Sequence, residues 1–213
     1  MIGLLYQGQY ALFMLIVLAL TISLSFHEFG HAAVAKLYGD GTAERAGRLT
    51  LNPLAHIDAM GLLMVVLVGF GYAKPVPTDP RNFRSRWAEL WVSAAGPLMN
   101  LLVAMVALNL FALAVKLDWG ALTAPGPRIF FIYLARINLI LMLFNLIPLG
   151  ALDGHYILPY FLNRRWAAYY THYNAQYGNL VLMGLVLLSV MGVPVFAFVW
   201  AISGALLPLI AFV

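Results

Sequence analysis

The first 35 residues constrain this chain most, because they contain one charged side chain, Glu28. At a rise of about 1.5 Å per residue, a helix of that length exceeds the roughly 30 Å hydrocarbon core of a bilayer. Further apolar runs cover residues 87–115 and 128–147. Charged residues make up 9% of the 213 residues, too few to cover the surface of a water-soluble domain of this size. The sequence therefore predicts an integral membrane protein embedded in a lipid bilayer, and it argues against a nucleic-acid partner.

We expect an all-α polytopic membrane protein with about five transmembrane helices, a short membrane-associated β segment and a half-inserted element. Residues 61–72 are apolar but too short to span, which indicates the half-inserted element. Arg48, Leu49, Thr50 and Leu51 alternate as a short strand would. The chain should form one domain with five parts, which are the catalytic helix (1–37), the strand and re-entrant region (39–86), the second span (87–117), the third span with its following loop (128–166) and a C-terminal helical hairpin (178–213).

The distribution of basic residues predicts the orientation. If the amino terminus lies outside, nine of the twelve Lys and Arg residues fall in loops on the cytoplasmic side. These residues are Lys36, Arg45, Arg48, Lys74, Arg81, Arg84, Arg86, Arg164 and Arg165. The positive-inside rule therefore favours an external amino terminus and places the end of the first helix near the cytoplasm.

The first helix contains the sequence His27-Glu28-Phe29-Gly30-His31. Because four residues make just over one helical turn, both imidazoles project from one face and can bind a single zinc ion. A carboxylate beside the metal, here Glu28, can take a proton from the attacking water. Three ionisable residues at membrane depth are costly unless a partner such as a metal offsets that cost. The pattern therefore predicts one zinc ion held by His27 and His31.

A catalytic zinc usually has three protein ligands, so one more is expected. The chain has no cysteine, which excludes thiolate ligands. The remaining candidates at a suitable depth are Asp153, His155, His56 and Asp58. Asp153 is favoured because it lies at the cytoplasmic end of the third span, and the following Gly154 permits a tight turn. His155 remains the rival ligand, whereas His56 and Asp58 are expected to fix a loop by hydrogen bonds.

Several motifs in this order resemble the site-2 proteases, which are intramembrane zinc metalloproteases. His27-Glu28-Phe29-Gly30-His31 is followed by the sequence Asn145-Leu146-Ile147-Pro148 and then by Leu152-Asp153-Gly154. Supporting motifs are Gly47-Arg48-Leu49-Thr50-Leu51-Asn52-Pro53 and Ala95-Gly96-Pro97-Leu98-Met99-Asn100. The similarity extends from about Ser25 to Leu158. Residues 73–86 leave no room for the PDZ domain of longer relatives, so the chain resembles the compact form.

The resemblance implies zinc held by His27, His31 and Asp153, with Glu28 as the general base. It also implies that Asn145 helps to hold the substrate or the developing oxyanion. Asn100 is a candidate for substrate binding, and the predicted strand from Arg48 to Leu51 could pair with an unwound substrate. The implied substrate is a transmembrane protein, such as a membrane-tethered anti-sigma factor, in a bacterial or archaeal cell membrane.

This chain departs from the family pattern at Gly150-Ala151, where many relatives have proline, and at His155, an unusual follower of the Leu-Asp-Gly triplet. Two other functions use similar residues. A membrane metal carrier would need polar stations through the bilayer, and the outer halves of the predicted spans offer almost none. A zinc hydrolase acting on prenylated peptides or lipid usually completes its site with a downstream glutamate, but only Glu44 and Glu89 follow the motif.

Overall fold

The computed structural model describes residues 1–213 and contains helices, turns and irregular segments without a β-strand. The α-helices are α1 Ile2–Tyr6, α2 Tyr10–Leu37, α3 Thr42–Arg45, α4 Pro53–His56, α5 Ala59–Val68, α6 Ala88–Lys116, α7 Gly120–Thr123, α8 Pro125–Asn145, α9 Asp153–Ile157, α10 Arg164–Tyr173, α11 Asn179–Val190 and α12 Ala197–Leu206. Short 3₁₀ turns cover Pro80–Asn82, Leu158–Phe161 and Leu207–Ile210, and a π-helical turn covers Asn174–Gly178.

Three helices are long and apolar enough to cross a membrane. These are α2 with 28 residues, α6 with 29 and α8 with 21. The C-terminal region forms two helices, but α11 has 12 residues and α12 has 10, so neither reaches the roughly 20 residues that a spanning helix needs. The fold is therefore all-helical with three candidate membrane spans, and the count of five is not confirmed.

The strand predicted from Arg48 to Leu51 is absent, and that prediction was wrong. No other chain segment pairs with these residues as a strand, and Arg48 and Thr50 make other hydrogen bonds instead. The Arg48 guanidinium donates to the carbonyl of Pro75 at 3.2 Å and to that of Lys74. The Thr50 carbonyl accepts a hydrogen bond of 2.7 Å from the ring of His56. Alternation of residue types alone cannot form a strand when no edge lies beside it.

The segment predicted to be half-inserted contains most of α5, a ten-residue apolar helix that is too short to span a bilayer. Its first turn is capped by the Asp58 carboxylate, which accepts from the Gly61 N–H at 2.8 Å. Residues 70–79, which have no regular secondary structure, then bring Val76 to Glu28 of α2 before the chain reaches α6. We call residues 72–77 the strap.

Helices α2, α6 and α8 pack against one another and form the core. Four of the nine buried apolar residues of the core are alanine, and the others include Leu134, Leu139, Met142 and Val103. Small residues let helix backbones approach closely, which is how helices associate inside a bilayer, where burial of apolar surface brings little gain. The resulting close contact carries polar side chains of α2 into the middle of the bundle.

Candidate metal centre

His27 and His31 lie one turn apart on α2, and their rings face the same side. Their Nε2 atoms are 3.1 Å apart, and the two rings are nearly perpendicular. Both residues are largely buried although they belong to an apolar helix. The helical spacing in the sequence therefore produces the predicted convergence of two nitrogen ligands.

The ring of His27 is held by a buried network of amide and hydroxyl groups. Its Nδ1–H donates to the Asn100 amide oxygen at 2.7 Å. The Asn100 amide nitrogen donates to the Ser23 carbonyl at 3.3 Å and to the Asn138 amide oxygen at 2.8 Å. Because the Ser23 carbonyl can only accept, it determines which end of the Asn100 amide faces His27.

Asn138 closes this network from α8. Its amide nitrogen donates to the Ser23 hydroxyl at 2.7 Å and to the Leu134 carbonyl at 2.8 Å. The Ser23 hydroxyl in turn donates to the Ala19 carbonyl. Asn100, Asn138 and Ser23 are all 0% exposed. Each polar group in the network has a partner, so the network fixes the tautomer of His27 with a proton on Nδ1 and a lone pair on Nε2.

The ring of His31 is oriented by the main chain of α6. Its Nδ1–H donates to the Val92 carbonyl at 2.7 Å, which leaves Nε2 as the free ring nitrogen. Both histidines thus direct Nε2 toward the same point while a hydrogen bond holds the other nitrogen, the usual arrangement for histidine ligands of zinc.

Asp153 reaches this point from a distant part of the sequence. It is the first residue of α9, after the loop that follows α8. Its Oδ2 lies 3.3 Å from His27 Nε2, and its Oδ1 lies 3.4 Å from His31 Nε2. The ligand-type atoms of His27, His31 and Asp153 all lie within 4.8 Å of one another. The structure therefore brings together the three residues predicted to bind the metal.

The donor geometry fits a zinc ion. With zinc–ligand bonds of about 2.0 to 2.1 Å, the atoms at two corners of a tetrahedral site lie about 3.3 Å apart. The three observed separations are 3.1, 3.3 and 3.4 Å. Asp153 Oδ2 is also buried without a hydrogen-bond partner, although it is near His27, a costly state that a cation would relieve. A set of two imidazoles and one carboxylate leaves the fourth position open, as catalytic zinc sites do.

Gly96 makes room for the two imidazoles. A Cβ added to this residue of α6 would lie 2.7 Å from His27 Nε2 and would also overlap His31 Nε2. Any side chain here would therefore push into the space between the ligands. The close approach of α6 to the catalytic helix depends on glycine at this position.

Glu28 lies next to His27 and is also buried. Its Oε2 accepts a hydrogen bond of 3.2 Å from the Val76 N–H of the strap. Arg48 holds the strap in place through the Lys74 and Pro75 carbonyls, and the Lys74 N–H donates to the His56 carbonyl at 2.8 Å. The carboxylate of Glu28 is thus held by one oxygen, and the other makes no hydrogen bond within the protein.

The structure gives other predicted residues different positions. Asn100 is fully buried and its amide is fully used, so it orients His27 and is not available to contact substrate. The Asn145 amide donates to the Leu141 carbonyl of its own helix at 2.9 Å. Leu49 and Thr50 are half-buried, and Leu51 is exposed.

The two alternative histidine ligands lie outside the metal-binding set. His56 donates from Nε2 to the Thr50 carbonyl, as expected for a residue that fixes a loop. His155 lies 3.2 Å from the Tyr170 hydroxyl through Nδ1, and that hydroxyl donates to the Pro148 carbonyl. Burial lowers the pKa of His155 and raises the pKa of Tyr170, so the ring and the phenol both stay neutral near pH 7. His155 therefore attaches the ligand loop to α10 instead of competing with Asp153.

Sequence reasoning missed the network residues Ser23 and Asn138 and the contact of Val76 with Glu28. Asn138 was visible as a polar residue within an apolar span, which is a general sign of an interhelical contact. Its partners lie 38 and 115 positions away in the chain. The Val76 contact uses a backbone N–H, which leaves no trace in side-chain type.

Comparisons with known proteins agree with this site. The model of Peptidase family M50 matches residues 15–117. The chain is 42% identical over 146 residues to YwhC of Bacillus subtilis, which is named as a zinc metalloprotease, and the match covers 67% of each chain. It is 32% identical over 159 residues to Rip2 of Mycolicibacterium smegmatis, also named as a zinc metalloprotease, across 71% of this chain and 58% of that protein.

Rip2 of Mycobacterium tuberculosis is 31% identical over 148 residues, which cover 67% of this chain and 55% of the relative. The chain thus spans little more than half the length of the Rip2 proteins. No solved structure gives a significant match. The similarity to YwhC, together with the family match over the helix that carries His27 and His31, shows that the chain belongs to Peptidase family M50, the site-2 protease family of zinc metalloproteases.

Proposed function

We propose that this protein is an intramembrane zinc endopeptidase that hydrolyses a peptide bond within or near a transmembrane helix of another protein. The observation that carries the proposal is the convergence of His27, His31 and Asp153 next to Glu28. The two histidines and Glu28 belong to α2, which is long enough to span a bilayer. The family match and the relatives named as zinc metalloproteases support the same chemistry. One zinc ion is the cofactor.

The residues divide the chemistry between them. A zinc ion held by His27, His31 and Asp153 would act as a Lewis acid for the scissile carbonyl and would lower the pKa of water at the site. Glu28 acts as the general base, and it later returns the proton to the leaving amine. Its burial and its single hydrogen bond to Val76 hold the carboxylate ready beside the ligands. The proposal includes Asn145, eight residues before Asp153, as a support for the developing oxyanion, a role for which its amide must leave the Leu141 carbonyl.

The position of the site along α2 supports a membrane substrate. His31 lies five residues before Lys36, which is about 7.5 Å along a helix axis. Lys36 is exposed and forms an ion pair with Glu44. The metal-binding residues therefore lie just below the level at which charged side chains meet water. A peptide bond that reaches this depth from the bilayer belongs to the end of a transmembrane helix.

A helical substrate must unwind before its carbonyl can reach the site, and the unwound backbone then needs hydrogen-bond partners. Leu49 and Leu51 offer them, since neither residue uses its N–H or carbonyl in a backbone hydrogen bond. We expect Leu51→Pro, which removes an N–H, to slow proteolysis while zinc binding is retained. Leu51→Ala is the matched control because it shortens the side chain and keeps the N–H. Equal rates for the two variants would remove residues 49–51 from the substrate path.

The topology predicted from the basic residues belongs to the same proposal. The amino terminus lies outside, and the loops before α6 and after α8 face the cytoplasm of a bacterial or archaeal cell. Because the chain has no cysteine, single cysteines can be introduced at the exposed residues Ala46 and Trp119 and labelled in intact cells with a membrane-impermeant reagent. We expect labelling at position 119 alone, and the reverse result would invert the topology.

The activity itself is tested with purified protein reconstituted with a model transmembrane substrate. We expect Glu28→Gln to abolish cleavage while the zinc content stays that of the wild type. Glu44→Gln is the matched control, since Glu44 is exposed and pairs with Lys36 away from the site. Full activity of Glu28→Gln would show that the general base is another group. Zinc binding without any hydrolysis by the wild type would instead favour a metal carrier.

The substrate class is a membrane-tethered regulator, such as an anti-sigma factor, released by regulated intramembrane proteolysis. The support is the shallow cytoplasmic position of the site, from which a cut would free a cytoplasmic domain. Comparing soluble fragments from cells that express the wild type with those from cells that express Glu28→Gln would identify the substrate. Fragments should begin or end within a predicted span.

A further inference from the structure

The loop that carries the acidic metal ligand is fastened to the C-terminal part of the chain at one residue. Gly150 lies in this loop, three residues before Asp153, with a φ of +62° that favours glycine. Its N–H donates to the Asn174 amide oxygen at 2.8 Å, and its carbonyl accepts from the Asn174 amide nitrogen at 2.9 Å. One side chain therefore satisfies both backbone groups of Gly150.

These two hydrogen bonds determine the orientation of the Asn174 amide group. A reversed amide would set a donor against the Gly150 N–H and an acceptor against its carbonyl. Asn174 is 9% exposed, so water does not compete freely for either bond. An aspartate of the same shape could keep the first bond but would place a carboxylate oxygen against the Gly150 carbonyl.

Asn174 lies in a distinctive part of its helix. Residues 174–178 form a π-helical turn that joins α10 to α11, and such turns occur often at functional sites. The same helix contacts the loop again at Tyr170, whose hydroxyl donates to the Pro148 carbonyl. The loop is thus held from one side at Pro148 and Gly150.

We propose that Asn174 is a positioning residue for the metal site, acting through Gly150 to hold Asp153 at the two imidazoles. The histidine side of the site is rigid because α2, α6 and α8 hold it. Asp153 has no comparable side-chain partner, because its Oδ2 makes no hydrogen bond. The place of its carboxylate therefore depends on the backbone of residues 146–152, and Asn174 determines the conformation at the middle of that segment.

The inference rests on the proposed metal site. Two measurements distinguish a failure of the inference from a failure of the metal site itself. The first is the zinc affinity of purified protein, measured by competition with a chelating dye. We expect Asn174→Asp and Asn174→Ala to weaken binding about 10-fold, the lower end of the range for residues that support metal ligands. Gln176→Ala is the matched control, because Gln176 is exposed in the same π-helical turn. It should bind zinc as the wild type does.

The second readout is amide hydrogen exchange of peptides that cover residues 149–154, measured without metal. We expect exchange to be about fivefold faster in Asn174→Asp, as for the loss of one buried hydrogen bond. If Asn174 only fills space, Asn174→Asp, which keeps the size of the side chain, should match the wild type in zinc affinity and exchange. Only Asn174→Ala should then bind zinc more weakly and exchange faster. Wild-type affinity and exchange in Asn174→Asp would therefore overturn the proposal. If the wild type bound no zinc, the metal site would be wrong, and the exchange data would still decide whether Asn174 fixes the loop.

Discussion

The core helix α2 and the C-terminal helix α11 are both apolar, but they differ in which of their residues are buried. The buried residues of α2 are small or polar, and they include Ser23, His27 and Glu28. Helix α11 has no buried residue, and its large side chains, such as Leu187, are exposed. In water, this distribution would be inverted. It indicates a lipid surround, in which large apolar side chains need no protein partner and polar ones do.

The comparison shows where sequence changes should matter. In the core, α2, α6 and α8 approach closely around hydrogen-bonded groups, so additional or missing atoms disturb the metal ligands. Along α11, the neighbours of most side chains are lipid tails that adapt to a change of shape. Equivalent substitutions in the two regions should therefore have very different effects.

Glycine substitutions give the largest expected contrast. Gly96→Ala places a methyl group against the rings of His27 and His31, so zinc affinity should fall by more than about 100-fold. Gly184→Ala in α11 adds the same methyl group where no atom lies within 4 Å, and it should bind zinc normally. Both variants can be compared by zinc titration in the same detergent. Normal affinity in Gly96→Ala would mean that α6 is farther from the site than described.

Asparagine substitutions on the core helices test the buried network. Asn138→Ala removes the partner of Asn100 and of the Ser23 hydroxyl, which frees the amide that holds His27. Zinc affinity should fall by about 10- to 100-fold, as for other partners of metal ligands. The readout is the competition assay with a chelating dye.

Asn109→Ala is the matched control for that experiment. Asn109 bonds the Ile210 carbonyl and the Phe212 N–H, so it fastens the C-terminal end of the chain to α6. Its loss should cost about 0.6 kcal/mol of stability for each bond and leave zinc affinity unchanged. Equal losses of affinity in the two variants would show that the network has no specific role.

Leucine truncations compare packing in the two regions. Leu139 of α8 is 0% exposed, whereas Leu187 of α11 is 59% exposed. Leu139→Ala leaves a cavity in the core and should lower the free energy of unfolding by about 2 kcal/mol. Leu187→Ala should change it by less than about 0.5 kcal/mol. Thermal unfolding in a mild detergent measures both, and similar values would place α11 in a protein interface that the single chain lacks.

The C-terminal end of α2 offers a third environment, where exposed charged side chains such as Lys36 and Glu44 appear. Burial would raise the pKa of Asp40, but hydrogen bonds from the Thr42 hydroxyl, the Asp79 N–H and the Asn82 amide lower it to about 2. A folded-state pKa below the ordinary value of about 3.9 stabilises the protein above pH 4, and that stability is lost as the pH falls toward 2.

Asp40→Asn should therefore cost of order 1 to 2 kcal/mol at pH 7, and the difference from the wild type should shrink between pH 4 and pH 2. Glu44→Gln breaks an ion pair with Lys36 whose side chains are each 48% exposed, and it should cost less than about 0.5 kcal/mol. Thermal unfolding at several pH values measures both variants. A constant difference for Asp40→Asn across this range would contradict the lowered pKa.

Much of the site follows from short-range rules. The four-residue spacing of His27 and His31 on a helix predicts their convergence, and topology favours Asp153 as the third ligand. The structure brings these three together. The membrane class follows from composition, and three of the expected spans are long helices.

The remaining features depend on contacts between distant residues. Asn138 meets Asn100 and Ser23 because of the rotation of α8 about its axis, which no local pattern encodes. Asn100 was expected to contact substrate, because the sequence does not show the hydrogen bonds to Ser23 and Asn138 that occupy its amide. The strand at Arg48–Leu51 failed as a prediction because alternation does not supply a neighbouring edge. The C-terminal helices are shorter than their apolar run because the turn at residues 191–196 divides it.

The contact between Val76 and Glu28 uses the main chain, which has a consequence for variation at this position. Any residue with a backbone N–H can donate to the Glu28 carboxylate, so the identity of the side chain at position 76 is free in this respect. Proline alone lacks that hydrogen. Proline already stands on both sides, at Pro75 and Pro77, where it limits the flexibility of the chain. A single codon change that extends this run to three prolines would thus remove a support of the proposed general base without altering any polar side chain.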